Sequence, residues 1–83
     1  MYYVYVIRNE VNEFYTGYSA NLEKRLADHN AGGTPSTKGH QWELVYYEAY
    51  INENYARKRE QVLKQNRRMS AFLMKRVKES LNY

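Results

Sequence analysis

A chain that opens Tyr2-Tyr3-Val4-Tyr5-Val6-Ile7-Arg8, passes through Asn9-Glu10-Val11-Asn12-Glu13 and resumes with Phe14-Tyr15-Thr16-Gly17-Tyr18 reads as a β-hairpin from its first residues. Aromatic and β-branched side chains are stiff at χ1 and pack well on a pleated, half-buried surface, whereas the Asn- and Glu-rich segment between the two runs suits a turn. Period two puts Tyr3, Tyr5 and Ile7 on one face of the first strand and Tyr2, Val4 and Val6 on the other. Gly17 interrupts the second strand. A glycine inside a strand marks a close approach by a ligand or another backbone.

Helical spacing takes over after the hairpin. Ser19 or Asn21 can cap a helix that runs to about Ala31, and Gly32-Gly33 ends it. Leu22, Arg25, Leu26 and His29 fall at i, i+3, i+4 and i+7, so two polar residues share the stripe that the leucines press onto the sheet. Residues 33–41 read as a loop and Trp42 to Tyr50 as a third strand. Asn52 is placed to cap a helix carrying Tyr55, Ala56, Val62 and Leu63 inward. A second stripe, Met69, Phe72, Leu73, Val77 and Leu81, follows, with a break expected near Asn66–Ser70 because one uninterrupted helix would far exceed the usual ~10–14 residues. The order is β-β-α-β-α-α, an α+β fold in which one small three-stranded antiparallel sheet is flanked by helices. At 83 residues the chain has room for a single domain, 1–83, with one modest core.

Charge narrows the range of partners. Residues 57–83 hold nine basic side chains against Glu60 and Glu79, while residues 1–56 hold four against seven carboxylates. A basic final third on a slightly acidic body favours a polyanion. The absence of cysteine removes disulfide and thiolate-metal chemistry, and no second histidine stands at ligand spacing for zinc. No apolar run approaches the ~18 residues of a membrane span. A cytoplasmic protein with no membrane attachment is the expectation.

Five positions carry chemistry. Tyr5 and Tyr15 lie on strands that pair, so a suitable register puts both phenols on one face; two packed sheet tyrosines are the plainer reading. Arg25 sits between two leucines on an inward stripe, where a guanidinium needs either a carboxylate from the sheet or a cleft open to an anion such as a phosphate. His29 faces the same way one turn later. Glu60 is the sole acid between Glu53 and Glu79. It can pair with Lys64 at i+4, or it can be the single carboxylate through which a protein holds a well-hydrated Mg²⁺.

In order and type, the Tyr-Val-Tyr of residues 3–5, the Tyr-Thr-Gly of residues 15–17, Arg25, His29 and Glu60 resemble the GIY-YIG nuclease superfamily, in particular its small stand-alone members. The likeness runs from residue 2 to about residue 65. The first glycine of the family's motif is replaced by tyrosine, and the asparagine common about three turns after the glutamate falls in Ala71-Phe72-Leu73, with Asn66 as its substitute. The resemblance implies a divalent-metal-dependent endonuclease that hydrolyses phosphodiester bonds, in DNA rather than RNA, with little sequence preference. It implies Tyr5 as general base, Tyr15 and His29 orienting the water or relaying its proton, Arg25 on the phosphate, and Glu60 as the ligand of one Mg²⁺ or Mn²⁺. Gly17, Lys38, Arg57, Lys58, Lys64, Arg67, Arg68, Lys75 and Lys78 are the expected nucleic-acid contacts, and a protein partner could supply specificity. Two alternatives use the same residues differently: a non-catalytic nucleic-acid-binding module on this fold, and an interaction module whose basic helices dock an acidic protein.

Overall fold

The computed structural model describes residues 1–82. Its elements run β1 (Tyr2–Asn9), β2 (Phe14–Ser19), α1 (Leu22–Asn30), a short 3₁₀ turn (Pro35–Thr37), β3 (Trp42–Tyr50), α2 (Glu53–Gln65) and α3 (Arg67–Leu81). The three strands form an antiparallel sheet in the order β2-β1-β3, so the first strand is the central one.

The hairpin turn is organised by Asn9. Its side-chain oxygen accepts from the backbone N–H groups of Val11 and Glu13 at 3.0 and 2.9 Å, and Asn12 takes the left-handed conformation at φ 61°. Asparagine tolerates that region because its short polar side chain bonds locally. Helix boundaries follow their caps. The Asn21, Asn52 and Asn66 side chains each accept a backbone N–H of the first turn of α1, α2 and α3. Asn66 closes α2 and opens α3 at once, which is the break expected from the sequence. Its side-chain oxygen is thereby engaged in capping α3.

The sheet is covered on both faces. Val4 and Val6 point to α2 and α3, where they pack with Ala56, Leu63, Leu73 and Val77. Tyr5 and Ile7 point the other way and pack with Trp42, Leu22, Leu26, Leu44 and Tyr15 beneath α1. Opposite Val6 and Ile7 the β3 ladder contains a bulge: Val6 pairs with Tyr46 and Ile7 with Leu44. Three residues expected inward are exposed: Tyr55 (57%), Met69 (38%) and Phe72 (67%). The buried line of α3 passes through Leu73, Met74, Val77 and Leu81. Phe72 is one residue, about 100° of helix, away from it. On the α2 face, Glu48 of β3 accepts from Arg59, Tyr46 and Tyr50.

Candidate active site

The β1–β2 register decides where the phenols go. Tyr5 pairs with Gly17 and Ile7 with Tyr15, so Tyr5 and Tyr15 are diagonal neighbours on the face under α1. The Tyr5 ring leans across Gly17. A Cβ at position 17 would lie 2.3 Å from the Tyr5 hydroxyl and 2.4 Å from the ring carbon bearing it. The close approach at Gly17 is made by a side chain, the Tyr5 ring, where a ligand or another backbone was expected. The glycine is buried and leaves the space that ring occupies.

α1 brings its two polar residues onto this ring. His29 is fully buried, and its Nε2 lies 2.7 Å from the Tyr5 hydroxyl. Its Nδ1 lies 2.8 Å from Thr37 Oγ1, and Thr37 Oγ1 is 3.3 Å from the Thr34 carbonyl. Tyr15 packs edge-on to His29, with ring centroids 5.3 Å apart. Arg25, half-buried one turn before His29, carries a buried Nε with no hydrogen-bond partner. An arginine N–H left without an acceptor inside the chain is costly, and this one is free to bond an oxygen from outside it. The carboxylate that could have met Arg25 from the sheet does not.

Electrostatics around the two buried groups follow from this packing. Burial raises the Tyr5 phenol above its ordinary 10.0; Arg25 opposes the rise, while Tyr15 and Glu60 add to it. Burial lowers His29 below 6.5 and the Arg25 charge lowers it further, against a weaker upward pull from Asp28. At neutral pH the imidazole is therefore neutral, with one ring nitrogen free to accept a proton.

Glu60 arrives by a different route. α1 and α2 cover opposite faces of the sheet, so Glu60 does not share a layer with Arg25 and His29. Arg57 and Lys64, one turn to either side of it, both reach the edge strand β2: Arg57 lies 4.7 Å over the Tyr18 ring and Lys64 5.1 Å over the Tyr15 ring. That flank of α2 presents Glu60 at the β2 edge, where its charge is felt by Tyr5. The Lys64 ammonium sits 3.2 Å from the Glu60 carboxylate, the i+4 pair that the sequence offered as the plainer reading. Tyr5 and His29 lie inside, while Tyr15, Arg25 and Glu60 are the partly exposed rim.

The basic residues separate into two groups. Arg57, Lys64 and Lys78 each stand over an aromatic ring of β2 (Tyr18, Tyr15 and Phe14), which makes a cationic seam beside the rim. Lys38, Lys58, Arg67, Arg68 and Lys75 are exposed and make no ion pair among the described residues. His40, in the loop before β3, pairs with Glu10 at 2.5 Å. Thr37 and Thr34, by contrast, belong to the site and were hidden in a segment read only as a loop. The sole local hint was Pro35, well placed to start a tight turn.

Among the described residues no three His, Cys, Asp or Glu side chains cluster as metal ligands. The available donor is a single carboxylate that already holds a cation, the Lys64 ammonium, which fits a hard divalent ion that keeps most of its waters.

Residues 1–75 match the family described as the GIY-YIG catalytic domain. Over its whole length the chain is similar to the UPF0213 protein CPE1444 of Clostridium perfringens, with 38% identity over 88 residues and 94% of that protein covered. The UPF0213 protein SH2523 of Staphylococcus haemolyticus is 42% identical over 65 residues, which span 76% of this chain and 79% of the relative. The fold is also similar to the solution NMR structure of the UPF0213 protein BH0048 from Bacillus halodurans. That likeness has a TM-score of 0.54 at 29% identity and covers 90% of this chain and 84% of the other. No helix among the described residues is long and apolar enough to cross a membrane.

Proposed function

The chain belongs to the GIY-YIG family, and from that premise we propose that it is a divalent-metal-dependent endonuclease acting on DNA, with little sequence preference of its own. The observation that carries the proposal is the juxtaposition of a buried Tyr5–His29 hydrogen bond with an arginine whose buried Nε lacks an acceptor. A packed structural cluster has no need of an unmatched cation; a site awaiting a phosphate does.

Hydrolysis requires a deprotonated water, an oriented phosphorus and a stabilised leaving oxygen. A tyrosine whose phenol is raised by burial is a weak base unless its own proton has somewhere to go. His29 provides that acceptor. As the water oxygen bonds to phosphorus, its proton passes to the Tyr5 oxygen and the Tyr5 proton passes to His29 Nε2. The bond from phosphorus to the leaving oxygen breaks, that oxygen takes a proton from solvent to leave as the alcohol, and the imidazolium afterwards returns its own proton to solvent. The water approaches from the rim, since Tyr5 and His29 are buried and Tyr15, Arg25 and Glu60 are not. Arg25 donates to a non-bridging phosphate oxygen and opposes the charge that develops there. Glu60, freed from Lys64, would hold Mg²⁺ or Mn²⁺, which supplies Lewis-acid stabilisation of the leaving oxygen when bound. Tyr15 keeps the imidazole in place by edge-on packing. The seam of Arg57, Lys64 and Lys78 gives the phosphate backbone a track next to the rim, with Lys38, Lys58, Arg67, Arg68 and Lys75 adding longer-range attraction.

Glu60→Gln tests the proposal. Cleavage of labelled duplex, single-stranded and branched DNA in Mg²⁺ should fall to the level seen in EDTA, while folding changes by no more than the ~0.3–0.5 kcal/mol of an exposed i,i+4 pair. A Glu60→Gln protein that cuts like its parent would remove the metal-anchor role. The Glu60–Lys64 ion pair is the one observation that favours a non-catalytic nucleic-acid-binding module. That reading predicts salt-sensitive binding with no metal-dependent scission in either protein.

A further inference from the structure

The loop between α1 and β3 contributes a side chain that the chemistry above does not use. Thr37 is 0% exposed, and its hydroxyl contacts both His29 Nδ1 and the Thr34 carbonyl. The residue is held tightly. Its backbone N–H donates to the Thr34 carbonyl at 3.1 Å, and its own carbonyl accepts from the Trp42 indole N–H at 2.9 Å. Asn30 in turn clamps the Trp42 backbone, accepting from its N–H at 2.6 Å and donating to its carbonyl at 3.0 Å.

A neutral imidazole carries one N–H, and which nitrogen bears it is set by the partner of the other. Two arrangements fit the distances. In the first, Thr37 donates to the Thr34 carbonyl, His29 Nδ1–H donates to Thr37 Oγ1, and Nε2 accepts from the Tyr5 hydroxyl. In the second, Thr37 donates to Nδ1 and Nε2–H donates to the Tyr5 oxygen. The Thr34 carbonyl and the buried phenol distinguish them. A carbonyl can only accept, and Thr37 Oγ1–H is directed at it at 3.3 Å, which leaves the Thr37 oxygen to accept from His29 Nδ1–H at 2.8 Å. In the second arrangement the Thr37 hydroxyl turns away from that carbonyl, and the buried Tyr5 proton loses its hydrogen-bond partner, because His29 itself donates to the phenol oxygen. In the first, the phenol gives its proton to His29 Nε2 and every group is matched.

We propose that Thr37 is a positioning residue: by accepting from His29 Nδ1–H, it holds the imidazole in the tautomer whose Nε2 lone pair takes the Tyr5 proton. The inference rests on the nuclease reading for its catalytic consequence alone, because the tautomer is a property of the resting protein. It also assigns a use to the loop, which keeps a hydroxyl in place eight residues beyond the ring it orients.

The test is two-bond ¹H–¹⁵N correlation spectroscopy of the ¹⁵N-labelled protein, with His40→Gln removing the other imidazole. His29 should show a protonated Nδ1 and a bare Nε2. Thr37→Val keeps the shape and loses the acceptor, so the ring should move to the Nε2–H form; Thr37→Ser should restore the parent spectrum. In the same samples, cleavage by Thr37→Val should fall by roughly tenfold or more at unchanged KM, part of the ~10²–10⁴ that a positioned acid–base group contributes, and recover with Thr37→Ser. A parent protein protonated at Nε2 overturns the assignment without any variant having to fold. So does a Thr37→Val protein, or Thr37→Ala should the valine variant not fold, in which the tautomer is unchanged. A tautomer that moves as expected in a protein that never cleaves leaves Thr37 in its role and removes the nuclease reading instead.

Discussion

Two polar clusters lie on opposite faces of one small sheet, and they are balanced in opposite ways. Around Glu48 everything is matched. Arg59 donates through Nε and Nη2 to the two carboxylate oxygens at 2.9 Å each, Tyr46 donates at 2.5 Å and Tyr50 donates as well. Burial alone would raise the Glu48 carboxyl, but these four donors bring it down to about 2, while burial and the Glu48 charge push Tyr46 and Tyr50 up to about 12. Around Tyr5 the balance is incomplete. The cation, Arg25, has no carboxylate facing it and an unmatched Nε, and the carboxylate, Glu60, stands at the edge with only a flexible lysine. A satisfied charged cluster fixes a fold; an unsatisfied one needs a ligand to complete it.

The difference is sharpest when the arginine is removed from each. Arg25→Ala should abolish cleavage, a loss of at least ~10²-fold for a group that offsets transition-state charge, and shift unfolding by less than about 1 kcal/mol because no carboxylate is left unpaired. Arg59→Ala should do the reverse, costing about 2–3 kcal/mol in denaturant unfolding by leaving Glu48 half-compensated, and leaving cleavage per folded molecule intact. Equal stability losses in the two variants would break the comparison.

Substituting the glycine beneath the relay is the next largest perturbation. Gly17→Ala must move the Tyr5 ring, since the added carbon would sit 2.3 Å from its hydroxyl. The expected cost is about 1–3 kcal/mol of overpacking, with the Tyr5–His29 hydrogen bond lost and cleavage with it. A Gly17→Ala protein of parental activity would mean that the ring need not lie where it does.

Acid should separate the clusters along one axis. Glu48 is lowered in the folded state, so its contribution is complete above the unfolded value near 4.5 and is lost as pH falls through about 2. The shift corresponds to about 3 kcal/mol of stability at neutral pH, seen as a falling unfolding midpoint below pH 4.5. Cleavage should fail on an acid limb of its own. The Tyr5 proton needs a neutral His29, whose value burial and the Arg25 charge hold below 6.5 in a setting of Tyr5, Tyr15, Arg25 and Asp28. Activity that stays flat through the pH at which NMR shows the His29 ring taking up a proton would remove His29 from the proton path.

The smallest effect is the most informative about the edge. Lys64→Met leaves Glu60 without its cation, so Mn²⁺ affinity measured by electron paramagnetic resonance should rise a few-fold, with folding changed by only ~0.3–0.5 kcal/mol. No change in Mn²⁺ affinity would mean that Glu60 is not where the ion binds.

Much of this arrangement was legible from residue order. The hairpin, the shared stripe of Arg25 and His29 and the asparagine caps are local features, governed by periods of two and 3.6 and by the first-turn N–H groups. Legibility ended where partners are distant in sequence. Nothing near Thr37 shows that it faces an imidazole, and Glu48 does not announce Arg59, since both are charged residues with an ordinary surface explanation. Phase errors had a simpler origin. Phe72 and Met69 look like core residues beside Leu73 and Val77, and only packing decides which line of a helix is buried. Glu60 combined both problems: its i+4 lysine and its proposed function at the β2 edge are compatible, and the sequence presented them as rivals.

The bulge in β3 has a consequence well beyond the strand that contains it. Nine residues of β3 run alongside eight of β1, and the extra one changes which side chains are odd and which are even. Tyr47 and Ala49 share a face with Trp42 and Leu44 only because of that miscount; in a regular ladder the tryptophan would turn to the other side. Its indole would then be on the wrong side of the sheet to hold the Thr37 carbonyl. The proton path proposed at Tyr5 is in this sense a matter of parity, set by one surplus residue on the far edge of the sheet.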